Sequence, residues 1–343
     1  MGTLSYRRWT KTLRAAFGAV AFGAVALTSG AAFSAGDAKE LTPIKIGVYP
    51  GNTSSSTWVI ADQQGFFERE GLKAEFVHFA NGPALAAAVI SGSVDVAYGA
   101  SAVSFDVARQ SSKLVVLGDF AAYVNWYIVV AKDKATASAE AGFPANVQSL
   151  KGMKIGVAAL GGVASKFVLS VLDSAGVAPD EVTLIAVGAA NTAVPALKNG
   201  LVDALAAISS PEHLATEGVE SVLVVDAGMP GNAGPGASNV LGILDTTSRA
   251  FQSDHEETLN KYCKAMIATV AWEKDPANFD AVSELVAKQL GVPLELAASQ
   301  MKHDLPSYTN EITEEVWKAQ PIWITGASDI PTYQDTVFAS CGR

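Results

Sequence analysis

Two separate sequence signatures each occur twice at nearly one spacing, and this duplication constrains the fold more than any single residue does. Lys45-Ile46-Gly47-Val48 returns as Lys154-Ile155-Gly156-Val157, and Gly92-Ser93-Val94-Asp95 returns as Gly200-Leu201-Val202-Asp203, at separations of 109 and 108 residues. Ahead of the second signature each copy carries a helix of small residues, Ala84 to Ser91 in one and Ala193 to Asn199 in the other. A strand, a gap, a helix and a Gly-x-Val-Asp turn therefore recur in one order, which calls for two similar α/β lobes. Clefts between paired lobes are where small ligands bind.

Arg7, Arg8, Lys11 and Arg14 precede an uncharged run from Ala15 to Gly36, and Asp37 is the first acidic residue. Basic, then apolar, then small is the order of an export signal, so residues 1–35 read as a leader cut after Ser34 or Ala35. A retained anchor is the competing reading, because the run is long enough to span a bilayer. Gly18, Gly23, Thr28, Ser29 and Gly30 leave it weakly apolar, which favours cleavage. The 343 residues include 24 basic and 34 acidic ones, a formal charge of −10 that loss of the leader takes to about −14. So acidic a surface disfavours nucleic acid and anionic membranes. An anionic ligand stays open, because oriented backbone amides can make a buried site positive. The two cysteines, Cys263 and Cys341, either form one disulfide in an oxidising compartment or remain two buried thiols.

After the leader, strand-like and helix-like segments alternate. Ile44–Val48, Ala74–Phe79, Val94–Tyr98, Leu114–Gly118 and Trp126–Ala131 read as strands, and a helix runs from Trp58 to about Arg69. Lys132 to Ser149 turns small and polar and reads as a crossover. The pattern then restarts at Lys154, and the Gly/Pro-rich stretch Gly228 to Gly236 reads as the loop before a return crossing. The expectation is two lobes, 36–134 with 236–343 and 135–235, each a mostly parallel sheet flanked by helices. Two crossings would act as a double hinge. Beyond Val240–Leu244 the chain reads as largely helical, with Trp272, Trp317 and Trp323 as packing residues.

In open α/β sheets the ligand crevice lies outside the carboxyl ends of the strands, where helix N-termini present unpaired amides. Four such junctions carry small or hydroxyl residues: Asn52 to Thr57, Gly99 to Ala102, Leu160 to Val163, and Ser209 to Glu212. Ser210 reads as an N-cap with Pro211 in the first turn. Each junction alone is an ordinary cap or turn; their occurrence in both copies suits an oxyanion headgroup. Glu212 either favours its own helix N-terminus or pairs with a ligand ammonium. Trp126 and Tyr98 are core residues or aromatic walls of the cleft, and Asn191 is a helix cap or a ligand contact.

Catalytic chemistry finds little support. His78, His213, His255 and His303 are scattered, and no His-x-x-His, Cys-x-x-Cys, Gly-x-Ser-x-Gly or phosphate-loop motif occurs. Asp95 and Asp203 could form a general-base pair, but their identical framing argues for a structural turn entering a strand. No metal and no cofactor are expected.

The order Lys-Ile-Gly-Val, then Ala61-Asp62-Gln63-Gln64-Gly65-Phe66-Phe67-Glu68-Arg69-Glu70-Gly71-Leu72, then a Gly-x-Val-Asp strand ending Tyr98-Gly99, resembles solute-binding proteins of ABC importers. The group is the one containing taurine, alkanesulfonate, nitrate and thiamine-pyrimidine-precursor binders. Ser149 to Val157 matches its second-lobe opening, and the resemblance runs from about Lys45 to Leu244. It implies a type II periplasmic-binding-protein fold, a solute clamped between hinged lobes, and delivery to a permease and ATPase in the inner membrane by a periplasmic monomer. Carried over by position, the contacts are Asn52, Thr53, Ser54, Ala100 and Ser101 in one lobe and Gly161, Gly162, Asn191, Ser209 and Glu212 in the other. Tyr98 and Trp126 would shape the remainder. The cysteine-rich motif of the thiamine-precursor branch is absent, and no Arg or Lys sits in these loops. The expected solute is a small sulfonate, taurine-like zwitterion or other organic anion. A neutral or aromatic metabolite, an enzyme on the same scaffold, and a sensor domain are the alternatives.

Overall fold

The computed structural model describes residues 40–48, 55–79, 82–120, 126–188, 190–207, 210–229, 231–237 and 240–342. The expected leader lies outside them, as do Asn52, Thr53, Ser54 and Ser209, and of Glu212 only the backbone is described. Among the described residues no helix is long and apolar enough to cross a membrane.

Among the described residues ten strands form two five-stranded sheets of the same layout. The first uses β1 (Thr42–Val48), β2 (Leu72–His78), β3 (Val96–Ala100) and β4 (Leu114–Gly118). The second uses β5 (Tyr127–Ala131), β6 (Lys154–Val157), β7 (Thr183–Ala186), β8 (Ala204–Ala206) and β9 (Ser221–Asp226). The last strand, β10 (Ile243–Ser248), returns to the first sheet. The orders are β2-β1-β3-β10-β4 and β7-β6-β8-β5-β9. In each, one strand runs antiparallel to both its neighbours, β10 in the first and β5 in the second, and the other pairings are parallel. The mostly parallel, two-sheet α/β architecture is therefore as read from the repeat.

The repeated residues hold the repeated geometry. The Lys45 amide donates to the Asp95 carboxylate at 2.7 Å, and the Asp95 amide donates back to the Lys45 carbonyl at 2.9 Å. The second copy reproduces this, with Lys154 N–H to Asp203 Oδ2 at 2.9 Å and Asp203 N–H to the Lys154 carbonyl at 2.8 Å. Each aspartate thus locks the lysine of the Lys-Ile-Gly-Val strand to the entry of the strand beside it, a structural duty that fits the framing of the motif. The glycine of each Lys-Ile-Gly-Val leaves room for a neighbouring leucine, Leu85 of the overlying helix in the first copy and Leu205 of the adjacent strand in the second. A Cβ at Gly47 would lie 2.4 Å from Leu85 Cδ1, and one at Gly156 would lie 2.8 Å from Leu205 Cδ2.

Three readings shift. The helix expected from Trp58 to Arg69 is two, Ser56–Gln63 and Phe66–Arg69, broken where Gly65 takes a left-handed φ of 71°. The first passage between sheets is 119–126, ahead of the expected 132–149, because β5 already pairs with β8 and β9. The polar segment taken for a crossover is a surface turn and a short helix, Ala145–Gln148, fastened to the second sheet. There Asn146 Nδ2 donates to the Val224 and Asn232 carbonyls at 2.8 and 2.9 Å. Third, the C-terminal part does not serve the first sheet alone. Helices Glu256–Lys274, Phe279–Leu290 and Leu294–Asp304 pack on that sheet's core. Trp317, Trp323, Ile324 and Tyr333, beyond them, share a core with second-half residues such as Ile155 of β6 and Phe167, and with Phe105 of the first half.

The end of the chain is fastened back to the first sheet. Val337 bridges Val116 of β4, the Phe338 amide donates to the Val116 carbonyl at 2.7 Å, and Cys341 is disulfide-bonded to Cys263.

Candidate functional site

A cavity of about 760 Å³ opens between helices of the two halves. Helix Gly82–Ser91 contributes Ala86, Ala87 and Ile90, and helix Ser101–Gln110 contributes Ala102, Val103, Asp106, Val107 and Gln110. These recur at intervals of three and four, so each set is one helical stripe. From the second half, helix Val163–Ser174 adds Val163 and Lys166. Trp323, Ile324, Thr325 and Gly326, around the short helix Ile322–Thr325, form a third wall. The lining is mostly aliphatic. Its charges are Asp106 and Arg109, which form an ion pair with each other, and Lys166, which makes no ion pair among the described residues.

None of the described ligand contacts expected from sequence lines this space, though several stand next to residues that do. Ala100 and Ser101 end β3 and begin helix Ser101–Gln110, next to Ala102 of the lining. Ser101 is fully buried, its amide donates to the Gly242 carbonyl at 3.0 Å, and its hydroxyl has no hydrogen-bond partner among the described residues. Gly161 is exposed with a φ of 74°, and Gly162 caps helix Val163–Ser174 with extended backbone, one residue before the lining Val163. Ser165 turns back to donate to the Ala159 carbonyl at 2.7 Å. Trp126 is half-buried and lies one layer behind the wall, its ring 4.9 Å from Trp323 and 5.5 Å from Phe167.

Others sit elsewhere in this conformation. Tyr98 is buried and stacked on Trp58, centroids 4.3 Å apart. Asn191 is exposed near the start of helix Ala190–Lys198. Ser210 caps helix Pro211–Thr216, accepting from the His213 amide at 3.2 Å, with Pro211 in the first turn as read. Lys166, on helix Val163–Ser174, lies outside the loops in which charge is expected, and yet lines the groove. The available signal was its three-residue spacing from Val163.

A buried polar chain runs through the interior of the first half. The Trp58 indole donates to Tyr262 Oη at 2.7 Å, and that hydroxyl donates to Asp245 of β10. Burial holds the Asp245 carboxyl well above the usual carboxylate range, and Asp119, at the start of the first passage, adds to the rise. The chain ties helix Ser56–Gln63 and helix Glu256–Lys274 to the strand that completes the first sheet. No group of three or more His, Cys, Asp and Glu residues among the described ones is placed to hold a metal.

A second polar group spans the halves directly. His303, on helix Leu294–Asp304, engages Asp226 of β9 through Nε2 at 2.9 Å and Asp304 through Nδ1 at 3.0 Å. Hydrogen bonds to Asp226 and then Asp304 push its pKa up to about 10 against the cost of burial. Both ring nitrogens face carboxylates, so the ring is a charged double donor. Because the folded pKa lies above the unfolded value of about 6.5, this bridge stabilises fully below pH 6.5 and is lost as pH climbs toward 10. His303→Gln is expected to cost about 1–2 kcal/mol near pH 6, allowing for solvent at the exposed edge of the ring. Urea denaturation of both proteins at pH 6, 8 and 10 should show the gap closing; a gap independent of pH would count against a charged bridge.

A family model described as NMT1/THI5 like matches residues 52–276. No curated protein matches the chain. Among solved structures it is similar to the alkanesulfonate-binding protein SsuA from Xanthomonas axonopodis pv. citri bound to MOPS. Identity is 22% with a TM-score of 0.60, over 82% of this chain and 90% of that one. It is similar also to the periplasmic aliphatic sulphonate binding protein SsuA from Escherichia coli, at 21% identity and a TM-score of 0.62, over 80% and 88% of the two chains. A third likeness is to the periplasmic nitrate-binding protein NrtA from Synechocystis PCC 6803, at 14% identity and a TM-score of 0.57, over 77% and 70%. At these identities the likeness speaks for the fold, which is that of periplasmic binding proteins.

Proposed function

The chain belongs to the NMT1/THI5-like family, and on that premise we propose that it is the solute-binding component of an ABC importer. In this reading it is exported by its leader, works as a periplasmic monomer, and hands its solute unchanged to a permease driven by an ATPase. The solute is a small organic anion or zwitterion held in the groove between the two halves.

One observation carries the proposal: the groove is built from helices of both sheets, so occupying it couples the halves. The halves are joined by the passages 119–126 and 227–242 and again by the C-terminal segment that carries Trp317 and Trp323, and any closing rotation would be about these connections. The absence of a nucleophile–base or metal-ligating set among the lining residues fits holding better than converting a solute. The aliphatic walls give the second reading, a neutral or aromatic metabolite, its support.

A thermal-shift series with alkanesulfonates, taurine, nitrate, aromatic acids and pyrimidines tests this. A true solute at about 100 times its Kd adds roughly 2.7 kcal/mol and raises the Tm by several degrees. Mass analysis of the recovered compound should return it intact. A stable protein that no member of the series shifts, or one that returns an altered compound, would overturn the proposal.

A further inference from the structure

We infer that His303 is a clasp that holds the two halves in the orientation of this structure and limits their rotation about the connecting passages. The clasp stands apart from the groove, whose lining contains neither His303 nor Asp226, and it requires no solute. Of the ion pairs between described residues, His303 with Asp226 alone joins the two halves. Its second-half end is held from several sides. Asp226 is buried at the end of β9, its Oδ1 accepts from the Gly228 amide at 2.9 Å, and its own amide donates to Asn232 Oδ1 at 2.6 Å. The Asn232 carbonyl accepts in turn from Asn146 Nδ2 at 2.9 Å. Asp226 is thereby fixed to the body of the second half, with Oδ2 turned to His303 Nε2 at 2.9 Å.

The first-half end is fixed as well. Asp304 is buried, and its Oδ1 accepts from His303 Nδ1 at 3.0 Å and from Gln300 Nε2, one turn back, at 2.9 Å. Their helix, Leu294–Asp304, enters the first half's core through Ala297 and Met301 and also packs against helix Pro211–Thr216 of the second half. Two bonds on opposite edges of one rigid ring set both its position and its plane, and each weakens steeply out of alignment. A rotation of the halves therefore strains the Nε2 bond even where it separates them little. Swinging the ring to follow Asp226 would cost it the bond to Asp304. Both bonds are charge-assisted, the stronger kind. The apolar contacts that Trp317 and Trp323 make across the halves are non-directional and tolerate sliding. An interaction made in one orientation and lost in the others biases the equilibrium toward the first.

Double electron–electron resonance on the full-length exported protein at pH 7, with no solute added, tests this. Nitroxide labels go on Lys73→Cys, exposed on the outer strand β2, and on Asp180→Cys, exposed just ahead of the outer strand β7. Cys263 and Cys341 are bonded to each other and take no label. The parent should give one narrow distance distribution. His303→Gln and Asp226→Asn should each widen it by about twofold or more, as orientations that the clasp suppresses become populated. The double variant should be no wider than either single one, because both remove the same bond. Asp226→Asn keeps an acceptor for the Gly228 amide, so it supplies the comparison if His303→Gln lowers stability too far. Variants that melt earlier yet keep the parent's distribution would overturn the inference, since the bridge would then stabilise the fold without governing the halves. Widening in the double variant equal to the sum of the two singles would also overturn it. A protein that binds no solute leaves either result standing.

Discussion

Replacing Cys263 and Cys341 by serine should lower stability by about 4 kcal/mol, the chain-entropy value for a loop of this length, the two cysteines being 78 residues apart. For a chain of this size that corresponds to a Tm roughly 6 °C lower. The consequence reaches further than melting. The bridge joins helix Glu256–Lys274, embedded in the first sheet's core, to the chain end that pairs with β4 through Val337 and Phe338. Between those two anchors runs the segment bearing Trp317, whose ring lies tilted against Phe105 at 4.6 Å, and Trp323, whose indole donates to the Gly236 carbonyl at 2.7 Å. Freed at its end, the segment that walls the groove loses a fixed position, so the serine variant should also bind its solute more weakly at temperatures where it is still folded. Differential scanning calorimetry with titration at 15 °C separates the two effects. Unchanged melting in the double variant would mean that strand pairing and packing alone hold the terminus.

How much of this could be read beforehand depended on whether the signal was local. The duplicated Gly-x-Val-Asp was legible because its aspartate acts on a residue of its own copy, so sequence framing and hydrogen bonding coincide. The cysteine pair was legible as a possibility, two thiols in an exported chain, and the structure joins them. The allegiance of β5 was not legible. Tyr127–Ala131 is a fully buried apolar run that would suit either sheet, and only its long-range pairing with β8 and β9 assigns it. Polar composition marked Lys132 to Ser149 as exposed, which it is in large part, but exposure is not the same property as lying between lobes. For the site, loop chemistry points to the helix starts at Ser101 and Gly162, each one residue before a lining residue, Ala102 and Val163, and neither itself in the lining. It could not foresee that a remote segment, 323–326, supplies a wall, since nothing in the periodicity of a short helix names the surface it will meet.

Glu273→Gln should stabilise the protein, and by an amount set by pH. Glu273 lies on helix Glu256–Lys274 with 1% exposure, and neither carboxylate oxygen makes a well-formed hydrogen bond among the described residues. Burial pushes its pKa up to about 8, a rise that the nearby Thr57 hydroxyl only partly offsets. In the unfolded chain the same group ionises near 4.5. Below pH 4.5 both states hold the proton and the residue is neutral with respect to stability. Between 4.5 and 8 the unfolded chain releases a proton that the folded protein keeps, so stability falls as pH rises; above 8 both states are ionised and the penalty levels off. At pH 7 it amounts to about 3 kcal/mol, from about 1.4 kcal/mol for each unit between the two pKa values. A glutamine keeps the shape without the titration, and its amide can use the buried Thr57 and Tyr308 hydroxyls as acceptors. Because Asp245, Tyr262 and His303 titrate alike in both proteins, the difference between them isolates this one group. Denaturant titrations at pH 5, 7 and 8.5 should therefore show the variant close to the parent at pH 5 and clearly more stable at the two higher values. Parallel curves across that range would mean that the carboxylate is ionised in the folded protein, held by a partner that compensates its burial.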